Sequence, residues 1–201
     1  MRAPVKLYLA SSNPGKLAEY RELARVQGAN IALELLPHFT ALPPFPENAP
    51  TFAENAAGKA LHYSRLRDAL VLADDSGLVV PALGGAPGVQ SARYAGPDAT
   101  SPQRNAKLLA ALSGKVGAGR QAHFVCALAV AQRGRACAVV TARVDGQILE
   151  APRGTAGFGY DPVFFFPPRA KTFAELSVAE KNQLSHRGQA FRKLLSFLAD
   201  K

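Results

Sequence analysis

Two consecutive aspartates, Asp74 and Asp75, follow an apolar run in the segment VLADDSGL, residues 71–78. Consecutive side chains of a β-strand point to opposite faces, so a strand that continues through the pair separates the two carboxylates. Held about 4 Å apart, they would repel by roughly 4 kcal/mol at an effective dielectric near 20, and a cation such as Mg²⁺ would have to neutralise them. The structural alternative is that one aspartate caps a turn at Ser76 and Gly77 while the other is solvated. The motif alone leaves both interpretations open.

A second motif, SSNPGKL at residues 11–17, stands between a strand-like run and a helical pattern. Small residues followed by Lys16 at a helix start allow backbone N–H groups and an ammonium group to bind phosphate. The motif is not a P-loop, because Ala10 replaces the upstream glycine and Leu17 stands where a serine or threonine would bind magnesium. An ordinary strand-to-helix turn explains the same residues, so the phosphate site is a hypothesis.

The stretch GFGYDPVFF, residues 157–165, has the residue types of a nucleobase pocket. It combines glycine flexibility with the rings of Phe158 and Tyr160 and the carboxylate of Asp161. Any base can stack on a ring, and a nearby carboxylate can hydrogen-bond to the base edge. The alternative is a bulged strand that enters the core.

The stretch EKNQLSHRG, residues 180–188, places Lys181, His186 and Arg187 near one another in sequence, at a predicted helix boundary. All three can donate hydrogen bonds to a ligand that is rich in acceptors. A lone histidine is more often a surface residue or a satisfied core residue, so this motif also has a structural alternative.

Hydrophobic periodicity predicts helices interleaved with a sheet, which indicates a mixed α/β fold. A strand at 5–11 precedes a helix with Pro14 in its first turn, where the missing N–H costs nothing. Thr51 and Glu54 form the T-x-x-E capping pattern, which begins a helix that extends to about Arg67. Further predicted elements are a strand at 31–36, a proline-rich loop at 37–50, a helix at 102–112 and a last helix at 189–199 capped by Ser185.

Three runs in the second half, RQAHFVCALAV, RACAVVTARV and QILEAP, are predicted to form antiparallel strands. One hairpin is expected about QRGR and a second at Asp145 and Gly146. The first hairpin puts Cys126 and Cys137 out of register, so we expect two reduced, buried thiols and no disulfide.

The chain of 201 residues, 48% of them hydrophobic, is long enough for one domain with a sizeable core, predicted at 1–201. Its formal net charge of +9 fits either a nucleic-acid surface or a pocket for polyanionic small molecules. The basic residues are dispersed, without an aromatic-interleaved stripe, which favours phosphate chemistry over specific nucleic-acid binding. No stretch approaches the roughly 20 apolar residues that span a membrane, and no cleavable leader is evident, so a cytoplasmic location without membrane attachment is expected.

The motifs taken in order are LASSNPGKLAE, TFAENAAGKA, ADDSGLVVPALGGAPGVQSARYAG, GFGYDPVFF and TFAELSVAEKNQLSHRGQA. Together they closely resemble the Ham1-like family of non-canonical purine nucleoside triphosphate pyrophosphatases, the inosine triphosphatase family. The resemblance extends from Leu9 to the last helix. It implies an elongated mixed sheet flanked by helices, two lobes around a central nucleotide cleft, and a homodimer. The implied reaction is the Mg²⁺-dependent hydrolysis of XTP, dXTP, ITP and dITP to the monophosphate and pyrophosphate.

Roles for individual residues come from the resemblance. It implies Asp75 as general base and metal ligand, Lys16 as a catalytic cation, and Asp74 and Glu47 as further metal ligands. The residues implied at the triphosphate are Ser11, Ser12, Asn13, Pro14, Gly15, Lys16, Lys59 and Ser76. Those implied at the purine are Phe158, Gly159, Tyr160, Asp161, Lys181, His186 and Arg187. Ser11 and Ser12 stand where the family commonly has Thr and Gly, and serine has less backbone freedom than glycine.

The implied selectivity has a chemical basis. Hypoxanthine and xanthine carry an acceptor oxygen at purine position 6, whereas adenine carries an amino donor there, so the donors His186 and Arg187 would disfavour ATP. Rejection of GTP needs exclusion of its 2-amino group, for which the sequence offers no clear residue. A rival enzyme class, the Maf-type pyrophosphatases, shares an S-x-N-x-x-K-like start but does not account for the SHRG and GFGYDP pair.

Overall fold

The computed structural model describes residues 3–199, apart from the side chain of Pro14, and contains a mixed α/β fold. The strands are β1 (Val5–Leu9), β2 (Ile31–Leu35), β3 (Leu70–Val79), β4 (Gln121–Gln132), β5 (Arg135–Ile148), β6 (Phe164–Phe166) and β7 (Lys171–Thr172). The α-helices are α1 (Pro14–Val26), α2 (Phe52–Leu66), α3 (Ser101–Ala111), α4 (Val178–Leu184) and α5 (His186–Ala199). The predicted fold class is confirmed. The predicted domain, 1–201, extends two residues beyond the described part at each end.

The strands form one mixed sheet in the order β2-β1-β3-β4-β5-β6-β7. β1 is parallel to both of its neighbours, whereas β6 is antiparallel to β5 and β7. β1 ends at Leu9, opposite Leu72 of β3. Because β3 continues beyond that point, Asp74 and Asp75, which follow Leu72 after one alanine, lie beside the turn that follows β1.

The turn predicted as one alternative at Ser76 and Gly77 is wrong, because β3 continues through both residues to Val79. This last part of β3 is buried: Leu78 has no exposed surface, and its N–H donates to the Ser91 hydroxyl at 2.9 Å. The strand therefore persists through the aspartate pair, and the two carboxylates point to opposite faces of the sheet.

The hairpin turn predicted at Asp145 and Gly146 is also wrong, because β5 continues to Ile148. Gly146 instead permits a close approach of β6: a Cβ at this position would lie 2.4 Å from the Phe165 carbonyl oxygen and 2.6 Å from the Phe164 ring. A glycine inside a strand often marks such an approach of another backbone.

The predicted absence of a disulfide is confirmed, since both cysteines are free. Cys126 is buried as expected. The burial predicted for Cys137 is wrong, because the side chain is half-buried near the start of β5, where the neighbours Arg135 and Ala136 are exposed.

The chain divides into two compact units, each with its own core. The first comprises Met1–Asp75, Cys126–Ala142 and Arg187–Lys201, and the second comprises Ser76–Val125 and Arg143–His186. The chain thus passes between units four times, at Asp75–Ser76, Val125–Cys126, Ala142–Arg143 and His186–Arg187. The sequence assigns the first and the last of these pairs to the site. Among the described helices, none has the length and apolar character needed to cross a membrane.

We expect Gly146→Ala to lower the free energy of unfolding by about 1–3 kcal/mol, because the new Cβ would overlap backbone that cannot move independently. Urea denaturation of the variant and the parent would measure the change. Gly119→Ala is the matched control, since a Cβ there meets only the Lys115 side chain, at 3.4 Å or more, and we expect little loss. Equal effects of the two substitutions would contradict the close-approach explanation.

Candidate active site

The turn between β1 and α1 is closed by its own side chains. Asn13 caps α1, and its side-chain oxygen accepts the N–H groups of Gly15 at 2.9 Å and Lys16 at 3.3 Å. Ser11 is buried, and its hydroxyl accepts the Asn13 N–H at 3.0 Å. Positive φ angles of non-glycine residues occur in the described part at His38, Arg133 and Ala170, so Ser12 does not need the backbone freedom of glycine. The exposed residues Ser12, Asn13 and Gly15 belong to the surface that the sequence assigned to phosphate.

Lys16 and Asp74 form a tight ion pair, with the lysine Nζ 2.9 Å from each carboxylate oxygen. The Asp74 side chain is completely buried, whereas the Lys16 side chain is 23% exposed. Burial alone would raise the pKa of Asp74, but the charges of Lys16, Arg187 and Lys59 outweigh it and hold that pKa below its ordinary value. Asp74 is therefore an anion at neutral pH, and its close cation in this structure is Lys16. The metal contact predicted for Asp74 stays a prediction.

Asp75 has a different environment. Its carboxylate is half-buried and accepts a hydrogen bond from the Asn55 side-chain amide at 3.0 Å. Burial, together with the negative charges of Glu47 and Asp74, raises the pKa of Asp75 to about 6, although the Asn55 hydrogen bond and the charge of Lys59 act in the opposite direction. A carboxylate with a pKa close to neutrality is suited to accepting a proton during catalysis.

Glu47 and Lys59 form the second ion pair of this region, with Lys59 Nζ 2.5 Å from Glu47 Oε1. Glu47 belongs to the proline-rich loop, and Lys59 lies on α2 with its side chain 12% exposed. We call the five residues Lys16, Glu47, Lys59, Asp74 and Asp75 the carboxylate–lysine cluster; all of them belong to the first unit.

The proline-rich loop packs along α2 and contacts it at alternate residues. The Pro43 carbonyl accepts from the His62 ring at 2.8 Å, and the Phe45 ring covers Gly58 so closely that a Cβ there would lie 2.5 Å from it. Further along, Ala49 exchanges hydrogen bonds with the side chain of Asn55. The helix thus fixes Glu47, which lies between these contacts.

Asn55 is a site residue that the sequence analysis missed. It is buried, and it contacts both the proline-rich loop and Asp75. A signal was present, because Asn55 and Lys59 stand four residues apart in TFAENAAGKA and so share one face of α2.

The residues of the cluster fit a magnesium ion only in part. Among the described residues, no three His, Cys, Asp or Glu side chains are placed to hold a metal together. Glu47 and Asp75 are close enough for Glu47 to raise the pKa of Asp75, and both offer the hard oxygen ligands that Mg²⁺ prefers. Because Mg²⁺ commonly uses one or two carboxylates, several waters and substrate phosphates, this pair suits an ion that binds together with phosphate.

Arg187 is buried in the first unit, where its Nη1 lies 2.9 Å and 3.2 Å from the two carboxylate oxygens of Glu19. Burial opposes the charge of Arg187, but Glu19, Tyr20 and Asp74 outweigh it and raise the guanidinium pKa further above its ordinary value. Arg187, which the sequence predicts to contact the purine, is therefore paired with Glu19 in this structure and lies near the charge of Asp74. Glu19 was not predicted, although it follows Lys16 by three residues on α1.

In the second unit, the residues of the GFGYDP motif form a loop rather than a bulged strand. Phe158 presents its ring to solvent, being 52% exposed, and Lys181 Nζ lies 4.5 Å from the ring centroid. Lys181 also contacts the buried Asp161 carboxylate at 2.5 Å, and the same carboxylate accepts the Phe158 N–H at 2.8 Å. We call residues 157–161 together with Lys181 the aromatic loop.

The N-terminal part of α3 supports the aromatic loop through two residues that the sequence analysis did not identify. The Ser101 hydroxyl accepts the Gly159 N–H at 3.2 Å, and the Asn105 amide donates to the Gly159 carbonyl at 3.2 Å. Tyr160 is buried, and its hydroxyl donates to the Ser91 carbonyl at 2.9 Å. Tyr160 thus anchors the loop in the core of the second unit.

His186 is buried in the second unit and stacks on the Phe124 ring, with ring centroids 4.6 Å apart and planes inclined by 12°. Lys181, His186 and Arg187 lie within seven residues of one another in sequence, yet they have different partners. The structure places Lys181 with the aromatic loop, His186 on Phe124, and Arg187 with Glu19 in the first unit.

Comparison with known proteins gives a consistent result. Residues 7–197 match the Ham1 family. The dITP/XTP pyrophosphatase of Geobacillus kaustophilus is 52% identical over 189 residues, which cover 94% of this chain and 92% of that protein. The dITP/XTP pyrophosphatase of Gloeobacter violaceus is 50% identical over 190 residues, with the same coverage of 94% and 92%. The solved structure of a HAM1 protein from Coxiella burnetii aligns with a TM-score of 0.88 and 40% identity, covering 98% of this chain and 100% of that one.

The structure is that of an α/β protein with the carboxylate–lysine cluster in its first unit and the aromatic loop in its second. With nearly the whole chain matched, the protein belongs to the Ham1 family. The family resemblance expected from the ordered motifs is confirmed.

We expect Asp75→Asn to stabilise the protein at pH 8 in EDTA, by at most about 3 kcal/mol. The pKa of Asp75 is about 6 in the folded protein against 3.8 for an ordinary aspartate, so folding disfavours its charged form. That cost is fully present above pH 6 and disappears below about pH 4. Urea unfolding at pH 4 and pH 8 would measure it.

Asp74→Asn is the matched control for this measurement, because the pKa of Asp74 is shifted in the opposite direction. Its removal leaves Lys16 without its carboxylate partner, so we expect a loss of stability at pH 8. Stabilisation by both substitutions, or by neither, would contradict the assignment of different environments to the two aspartates.

Proposed function

We propose that the protein hydrolyses non-canonical purine nucleoside triphosphates, namely dITP, ITP, XTP and dXTP, to the monophosphate and pyrophosphate. The observation that carries the proposal is the carboxylate–lysine cluster, in which one carboxylate with a raised pKa lies among two lysines and two further carboxylates. The relatives named dITP/XTP pyrophosphatase support the substrate class. Removal of such nucleotides from the pool protects nucleic acids from wrong bases.

Asp75 is the proposed general base. It accepts a proton from the water that attacks the α-phosphorus in line with the leaving pyrophosphate, and Asn55 orients the carboxylate for this step. A pKa of about 6 leaves Asp75 unprotonated at neutral pH while keeping it more basic than an ordinary aspartate. Asp74, held as an anion by Lys16, keeps its charge and does not compete for the proton.

The positive groups of the first unit are the proposed triphosphate ligands. Lys16 and Lys59 stabilise negative charge on the phosphoryl oxygens, and the exposed Ser12 and Asn13 offer side-chain donors. When bound by Glu47 and Asp75, Mg²⁺ would supply further neutralisation of the phosphate charge. Asp74 serves this set indirectly, by positioning Lys16.

The aromatic loop is the proposed purine site. Phe158 offers an exposed ring on which a base can stack, and Lys181 offers a donor for the 6-oxo group of hypoxanthine or xanthine. His186 is proposed as a further donor, whereas Tyr160 and Asp161 act by holding the loop. Arg187 reaches a base only if it leaves Glu19, so its proposed direct contact requires a rearrangement.

Three further expectations rest on the family resemblance and on no contact described above. We propose that the two units work as one catalytic domain, that the protein is a homodimer, and that it acts in the cytoplasm. Size-exclusion chromatography with light scattering would test the dimer.

The activity is tested by pyrophosphate release with Mg²⁺ from dITP, XTP, ATP, GTP and dTTP, with EDTA as a control. We expect selective, metal-dependent hydrolysis of dITP and XTP. Asp75→Asn should remain folded and lose ~10²- to 10⁴-fold in kcat, because it removes the base. Equal turnover of all five nucleotides would refute the purine site, and near-normal turnover by Asp75→Asn would remove Asp75 from its role.

We expect Phe158→Ala to raise the KM for dITP roughly tenfold, since base stacking on an aromatic ring contributes about 1–3 kcal/mol per base. Phe158→Tyr keeps the ring and is the matched control, with a KM close to that of the parent. Because stacking is tolerant of base identity, the preference for dITP over ATP should be retained in both variants. Steady-state kinetics with both nucleotides would show it, and an unchanged KM in the alanine variant would exclude stacking on Phe158.

A further inference from the structure

The proposed metal ligand Glu47 already has a cation. Lys59 Nζ lies 2.5 Å from Glu47 Oε1, and both side chains are mostly withdrawn from solvent, at 12% and 30% exposure. The contact is held from both sides, because Lys59 is part of α2 and Glu47 is part of the loop that α2 fixes through Phe45 and Asn55.

Lys59 is the close partner of Glu47 within the carboxylate–lysine cluster. Asp74 has Lys16 as its close partner and Asp75 has Asn55, whereas Glu47 has Lys59.

We propose that Lys59 and a divalent metal ion compete for Glu47, so that the metal binds there only when Lys59 is drawn away by the triphosphate. This inference rests on the proposed function and adds a step that couples metal uptake to nucleotide binding. In the nucleotide-free protein Lys59 is the resident cation of Glu47. In the loaded protein the same ammonium group lies on the phosphate oxygens.

The competition follows from charge and distance. Lys59 occupies one lone-pair site of the Glu47 carboxylate, so Mg²⁺ bound to that same oxygen would lie directly beside the ammonium group and be repelled by it. A metal on the other oxygen would place a divalent and a monovalent cation a few ångströms apart in a half-buried region, where repulsion is weakly screened. The triphosphate reverses this balance because it brings several negative charges that both cations can share.

The test measures metal binding without nucleotide. Mn²⁺ is the probe, since carboxylate and water ligands suit it as they suit Mg²⁺, and its binding to the protein can be followed by electron paramagnetic resonance and calorimetry. We expect Lys59→Met to bind Mn²⁺ with a Kd about tenfold lower than that of the parent. The same substitution in a Glu47→Gln background should give no gain, because the contested carboxylate is absent.

Two matched variants separate competition from a general change in charge. Lys16→Met removes one positive charge from the same cluster but from Asp74 rather than Glu47, so its Mn²⁺ Kd should fall less than that of Lys59→Met. Lys59→Arg keeps the charge beside Glu47 and should give no gain. Lys59→Gln serves as a second neutral variant if the methionine variant does not fold, as checked by circular dichroism.

An unchanged Mn²⁺ Kd in the folded neutral variants, an equal gain in Lys16→Met, or a gain that survives Glu47→Gln would overturn the inference. The result is independent of the proposed activity. If the parent hydrolyses dITP but the neutral variants bind Mn²⁺ no more tightly, the competition fails and the proposed function stands. If no nucleotide is hydrolysed, the proposed function fails while the binding measurement still decides the competition.

Discussion

The ion pair between Lys16 and Asp74 is the interaction on which the first unit's site depends. A completely buried carboxylate is costly unless a cation and hydrogen bonds replace its water, and Lys16 supplies the nearest positive charge. The pair also joins the first turn of α1 to β3, so it fixes the turn between β1 and α1 relative to the aspartates. Arg187, held by Glu19, adds positive charge on the buried side of Asp74. The result is one carboxylate that stays ionised and does not titrate near neutrality.

The neighbouring carboxylate, Asp75, has a raised pKa because side chains alternate between the two faces of the strand. Because β3 continues through Asp74 and Asp75, the two side chains face different environments although they are adjacent in sequence. The two lysines of the cluster form their ion pairs with Asp74 and Glu47. Asp75 instead accepts a hydrogen bond from the neutral amide of Asn55. Burial and the charges of Glu47 and Asp74 then raise its pKa. A pair of carboxylates with divergent pKa values is a recurrent way to assign separate roles to chemically identical groups.

What could be predicted from the sequence was local. The Thr51 and Glu54 capping pattern and the Pro14 position depend on residues within one helical turn, and the structure begins α2 and α1 at the predicted places. The Asp145–Gly146 pair carried an equally local turn signal, yet packing of Phe164 against β5 requires a glycine in an unbroken strand. The partner of Arg187 could not be predicted either, because the contact is made between residues far apart in sequence. Glu19 lies 168 residues away in sequence, and no spacing rule connects the two.

The proline-rich loop shows how an irregular segment can position a functional carboxylate. Prolines prevent regular pairing, and the extended chain instead alternates its contacts with α2 at Pro43, Phe45 and Ala49. Glu47 belongs to the same series of alternate residues and therefore faces the helix, where it contacts Lys59. The amide of Asn55 binds the loop at Ala49 and the strand at Asp75, so one buried side chain sets the separation of Glu47 from Asp75. The two carboxylates thus come from segments far apart in sequence, yet they are held in register by a single residue of the helix between them.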